Sequence, residues 1–274
     1  MSVINTNVNA LFAQSALRVN NRNLSSAMEQ LSTGSRINSA KDDAAGVAIA
    51  SVMTTQIRGL GQAVKNANDG VSLLQTAEGA MIEQTNMLQR MRELALQASS
   101  DTLSSDQKSY LQDEYTALTT QINNIGKQTQ WNGMKILDGG DSGSKTDYAI
   151  SVGTTGAETI TVSIAKMSAL TLTTKIGGSG SPSPTAAVGE IDAALKTVND
   201  SRSAIGAGIN QLTYAADNMN NVIQNATASR SQIVDTDYAT ATTQLARSQI
   251  IQQAATAMLA QANQSPQSVL ALLK

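Results

Sequence analysis

Apolar residues recur at heptad spacing through both halves of this 274-residue chain. Met53, Leu60, Ala67, Leu74, Met81, Leu88 and Ala95 form one row of sevens. Ile191, Leu195, Val198, Ile205, Ile209, Leu212, Ala216, Met219, Ile223, Ala226 and Ile233 keep a 4-3 rhythm in which only Arg202 and Arg230 intrude. A stripe of that period lies along one side of an α-helix, and other helices have to cover it. The spacing predicts a mainly α chain whose chemistry is helix association.

The composition narrows the kind of bundle. Aromatic residues make up only 3%, so the core has to be built from Ala, Leu, Ile, Val and Met at close helix spacing. A net charge of -2 with 15% charged residues provides no basic footprint for nucleic acid. Surface polarity comes from Asn, Gln, Ser and Thr, which tolerate packing against identical neighbours without like-charge repulsion. Cysteine and histidine are absent, which removes disulfides, thiolate and imidazole metal ligands, and Cys-His or Ser-His catalysis. The opening residues lack the pattern of a cleavable secretory signal, and no apolar run approaches the roughly 18 residues of a membrane span.

Read in order, the chain predicts five parts. Residues 1–42 form an amphipathic arm with Ile4, Val8, Leu11, Leu17, Leu24, Met28 and Leu31 on its apolar side, and Gly34 at its left-handed cap. Residues 43–137 hold core helices. Ser39 or Asp42 is expected to cap the first of them, whose companion row changes sides near Leu74. A Ser104–Gln107 capping box opens the next helix, and an Asn132-Gly133 turn follows. Residues 138–188 are a short variable insert, with period-two alternation at Tyr148–Val152 and Ile160–Ile164 and a Gly/Ser/Pro linker after it. Residues 189–233 return as helix. Residues 234–274 form a second arm, with Leu245, Ile250, Ile251, Ala254, Met258 and Ala262 on one face, an interruption at Pro266, and Val269, Leu270, Leu272 and Leu273 at the end. The expected architecture is a long antiparallel helical hairpin with coiled-coil termini and a small β-hairpin-containing insert. Neither arm has a complete apolar partner within this scheme, which leaves self-assembly or capture by another protein to bury them.

Sites for small-molecule chemistry do not emerge. Gly206-Ala-Gly208 begins like a dinucleotide fingerprint, but Gln211 holds the third glycine position and the context is a heptad helix. The carboxylate pairs Asp42/Asp43, Asp113/Glu114 and Asp235/Asp237 read as caps or solvated surface, because immediate neighbours on a helix do not face one another. Asp138, Asp141 and Asp147 do not match calcium-loop spacing. No catalytic, cofactor or metal residue is predicted. Arg90, Arg92 and Glu93 read as a solvated face opposite the stripe, with Leu94 exposed beside them.

Leu31-Ser-Thr-Gly-Ser-Arg-Ile-Asn-Ser-Ala-Lys-Asp-Asp-Ala-Ala-Gly46 resembles the signature of bacterial flagellin, as does Ile4-Asn-Thr-Asn7. The similarity extends through Gln89–Ala95, Thr129–Gly133 and Val269–Leu273. It implies a secreted subunit of the extracellular flagellar filament, exported unfolded by the flagellar type III apparatus with a chaperone and polymerised under a cap beyond hook-junction proteins. The arms would form a coiled-coil inner tube and the core helices an outer tube. By the same resemblance, Gln89, Arg90, Leu94 and Glu114 match segments that Toll-like receptor 5 recognises in flagellins that activate it. Val269, Leu270, Leu272 and Leu273 match the terminal leucines read by NAIP-type sensors. A hook-filament junction protein, which shares the terminal helices, is the nearest alternative. A chemoreceptor-like signalling rod should lack terminal arms.

Overall fold

A computed structural model describes residues 6–138, 147–167, 170, 172–177 and 184–271, with side chains to residue 264. Ile4, Leu272, Leu273 and Asp141 lie outside the described residues, and of Val269 and Leu270 only the backbone is described. The elements are α1 (Val8–Thr33), α2 (Ala44–Ala98), α3 (Ser105–Gln128), β1 (Gln130–Trp131), β2 (Met134–Lys135), β3 (Asp147–Ser151), β4 (Thr159–Ser163), α4 (Pro184–Val234) and α5 (Tyr238–Ala271). The fold is mainly α with two small antiparallel hairpins, as the periodicities predict. Contacts divide the chain into two compact units, 1–55 with 224–274, and 56–223.

The second unit is the core. Leu60, Ala67, Leu74, Met81, Leu88 and Ala95 are buried in register, joined beyond Leu74 by Ala77, Gln84, Met91 and Ala98 on the other side. That switch follows the change of companion row read in the sequence. Across from them Ile191, Val198, Ile205, Leu212 and Met219 of α4 are buried. The Arg92–Asp192 ion pair and the contact of Gly70 with Leu212 show α4 running antiparallel to α2. Helix α3 opens on the predicted Ser104–Gln107 capping box. The tight hairpin follows, with Asn132 and Gly133 both at positive φ, which is what a primed two-residue turn requires.

The insert's hairpin β3–β4 pairs Asp147 with Ser163 through to Ser151 with Thr159, one residue from the predicted strands. Its seat on the core is made of glycine. A Cβ on Gly70 would stand 2.6 Å from Ile150 Cδ1, and one on Gly208 2.6 Å from Val162 Cγ2. Gly70 of α2 and Gly208 of α4 are therefore the places where the sheet approaches the two long helices. Beyond β4, the Glu190 carboxylate accepts bonds from the backbone N–H and hydroxyl of both Thr173 and Thr174. Helix α4 begins at Pro184 rather than near Gly189, because proline at the first helical position loses no hydrogen bond and is already set at helical φ.

In the first unit, Gly34 ends α1 at φ +70° with its N–H on the Gln30 carbonyl. The cap of α2 differs from expectation. Asp43, not Ser39 or Asp42, receives the Gly46 N–H at 2.9 Å. Asp42 instead closes the preceding turn, accepting from Asn38 N–H, Ser39 N–H and the Ser39 hydroxyl; these bonds, Ser39's first, hold its carboxyl below the ordinary value. The chain also corrects the expected break at Pro266, since α5 continues through it. Proline has no N–H for the carbonyl four residues back, which here is Ala262. That carbonyl accepts from Asn7 Nδ2 at 2.7 Å instead, so the missing bond is supplied by the cap residue of α1.

Candidate assembly surface

The arms are not unpaired, as the sequence suggested; α1 and α5 pack against each other along one seam. Among the described side chains, the seam takes Ala10, Ala13, Leu17, Asn20, Leu24, Ala27 and Leu31 of α1, with Gln30 half-buried beside it, and Ala241, Leu245, Ser248, Gln252, Ala255, Leu259 and Ala262 of α5. Both lists keep 4-3 spacing, the mark of a coiled-coil seam. Small and polar members make it easy to overlook, because a search for large apolar residues passes over Ala10, Asn20, Ser248 and Gln252. A buried polar bond lies within it, Asn20 Nδ2 donating to the Ser248 carbonyl at 2.8 Å, and an exposed one borders it, Gln252 Nε2 donating to Asn21 Oδ1 at 3.2 Å.

This seam divides the predicted arm residues. Leu17, Leu24, Leu31 and Leu245 lie in it, while Val8, Leu11, Met28, Ile250, Ile251 and Met258 stay exposed. The apolar face expected along Ile250, Ile251, Ala254 and Met258 is thus a second, exposed face beside the seam. Phe12, which the sequence reading did not single out, is 79% exposed, and Ile250 and Met258 are each 66% exposed. Phe12, Ala13 and Ala16 of α1 and Ala255, Met258 and Ala262 of α5 line one open groove of about 600 Å³. An arm pair that covers one seam and leaves a groove of this kind has unfinished packing.

A second surface lies on the core unit. Arg90 Nε meets Glu114 Oε1 at 2.9 Å, joining α2 to α3, and Arg90 Nη1 meets Glu93 Oε2 at 3.1 Å. The Glu114 bond, then that of Glu93, raises the Arg90 pKa further. Gln89, Arg90 and Glu114 share an exposed surface. Leu94 does not join them, because it is 1% exposed, contrary to expectation. Helix α2 is flanked here by α3 through Glu114 and by α4 through Asp192, so its buried side is wider than one heptad row and takes in Leu94. Among the described residues no three His, Cys, Asp or Glu side chains group to hold a metal, and no helix is long and apolar enough to cross a membrane.

Comparison with known proteins gives this arrangement its context. The family model for the bacterial flagellin N-terminal helical region matches residues 4–142, and that for the C-terminal helical region matches residues 188–273. The chain belongs to the bacterial flagellin family. It is 41% identical over 275 residues to a flagellin of Halalkalibacterium halodurans, covering 99% of this chain and 100% of the relative. Flagellin A of Vibrio cholerae is 35% identical, with 99% of each chain covered. The crystal structure of Bacillus cereus flagellin superposes with a TM-score of 0.51 at 28% identity, covering 57% of this chain and 88% of that one. Flagellins are structural proteins that build the extracellular flagellar filament of motile bacteria, and membership makes this chain a filament subunit. The two family matches leave out residues 143–187, which contain the β3–β4 hairpin and its connector.

Proposed function

We propose that this subunit polymerises through the second face of its paired arms, with Val8, Leu11, Phe12, Ile250 and Met258 buried against neighbouring copies to form the inner tube. The exposed Phe12–Met258 groove carries this reading, since a helix pair with one seam satisfied keeps large apolar side chains in water only if something else covers them. Ile4 and the terminal Val269, Leu270, Leu272 and Leu273 extend the same contact. The chain travels as an unfolded export substrate of the flagellar type III system, accompanied by a chaperone, and is added under the cap beyond the hook-junction proteins. Gln89, Arg90 and Glu114 act first as a contact between core units and secondly as a surface for Toll-like receptor 5, with Leu94 supporting that surface from beneath. The terminal leucines are the corresponding feature for NAIP-type sensors.

Electron microscopy of the full chain after seeded polymerisation tests the assembly reading. Long filaments of flagellar diameter are expected, whereas short collars would favour a hook-filament junction role. Deleting residues 235–274 should leave a helical chain that does not polymerise, and a truncated chain that still grew on seeds would contradict the role given to the arms.

A further inference from the structure

We infer that Asn7 and Pro266 together set the register in which the two arms pair, and so align the two halves of the assembly face. The inference rests on the arm-mediated assembly proposed above. Within a helix each carbonyl is taken by the N–H four residues on. Pro266 is the one proline of α5, so the Ala262 carbonyl is the one interior acceptor of that helix without a donor of its own. Asn7 supplies the donor from α1 at 2.7 Å, while its Oδ1 accepts the Ala10 N–H at 3.0 Å and caps α1. One carboxamide therefore completes the backbone of both helices.

A second point fixes the same alignment. Asn20 donates to the Ser248 carbonyl within the seam, about two heptads from the first contact along each helix. Sliding α5 by one heptad would bring Asn7 opposite Ala255 or residue 269. It would also move Asn20 from the Ser248–Gln252 layer toward Leu245 or Leu259, and leave the Ala262 carbonyl orphaned in either direction. No other register offers Asn7 an unused acceptor in the interior of α5. Such a slide displaces Phe12 from Met258 by roughly 10 Å, seven residues at about 1.5 Å each. The groove they line exists only in the register that Asn7 and Pro266 select. Asn7 is on this account a positioning residue for assembly rather than a contact residue.

The native chain has no cysteine, so an introduced pair of thiols reports without background. In the full-length chain, an Ala13→Cys/Ala255→Cys pair reports the native register and an Ala13→Cys/Ser248→Cys pair the slipped one. Asn7→Asp keeps the cap acceptor but has no N–H to give, and Pro266→Ala restores the helix's own donor. Each should lower the native cross-link at least threefold, raise the slipped one, and slow seeded growth at least tenfold, while circular dichroism shows helix content kept or increased. An unchanged native cross-link in either variant overturns the inference, whether growth is normal or slow. Cross-links are read on the free chain as well as during growth. Failure of the assembly reading appears as no growth by any chain, and failure of the register inference as unchanged cross-links.

Discussion

The hydroxyl of Tyr238, at the first turn of α5, lies 3.0 Å from where a Cβ on Gly34 would sit at the end of α1. Gly34 also holds φ +70°, and its carbonyl accepts the Thr236 N–H at 2.9 Å. Gly34→Ala is expected to destabilise this junction by about 1–2 kcal/mol from the left-handed backbone alone, with displacement of Tyr238 added. Loss of arm helicity at lower temperature, followed by circular dichroism, would show it; an unchanged melt would mean the cap is not strained by a side chain.

Phe12→Ala separates assembly from folding. Phe12 is largely in water within one chain, so the variant should melt within about 0.5 kcal/mol of the parent, as surface substitutions do. If its ring is buried between copies, losing about 1.5–3 kcal/mol of burial raises the critical concentration roughly 10- to 100-fold. Sedimentation of seeded reactions measures it, and an unchanged critical concentration would remove Phe12 from the interface.

Gln84 sits 0% exposed in the core face of α2, donating to the Ile122 carbonyl at 3.1 Å. Its Oε1 has no protein partner. Gln84→Leu gives up one bond and relieves one buried acceptor. The expected change in urea unfolding therefore lies between neutral and about 1 kcal/mol stabilising, and a loss above ~2 kcal/mol would show that the amide is fully satisfied.

Acid should loosen the connector after β4. Burial pushes the Glu190 carboxyl upward, but the bonds from Thr174 and Thr173 outweigh it and hold the pKa below its ordinary 4.5. A folded-state pKa below the unfolded one contributes stability that is present above 4.5 and lost as pH falls through the folded value. Glu190→Gln should thus be less stable than the parent at pH 7, with the gap closing below pH 4.5. Paired urea midpoints at pH 7 and at about pH 3.5 check the sign, and a gap that widened on acidification would refute it.

Much of this was legible in the sequence because large apolar residues at heptad spacing are unambiguous. The α2 and α4 rows, the Gly34 cap, the Ser104–Gln107 box and the Asn132-Gly133 turn all follow local rules. The arm seam was only half legible, because its Leu17, Leu24, Leu31 and Leu245 alternate with Ala, Ser, Asn and Gln while the larger Ile250 and Met258 stay exposed. Leu94 was misplaced for a related reason: one stripe cannot reveal that two neighbouring helices widen the buried side of α2. Pro266 looked like a stop because the Asn7 side chain that completes its helix stands at the opposite end of the sequence.

That last contact ties together two residues 255 positions apart. It makes the backbone of α5 conditional on the first arm: without Asn7, α5 carries an unanswered carbonyl, and without α5, Asn7 Nδ2 loses its acceptor while Oδ1 still caps α1. A chain whose two arms are still apart, or from which Asn7 or Ala262 has been removed, cannot close this bond. Completing α5 in this way therefore requires Asn7 and Ala262 together in one folded molecule.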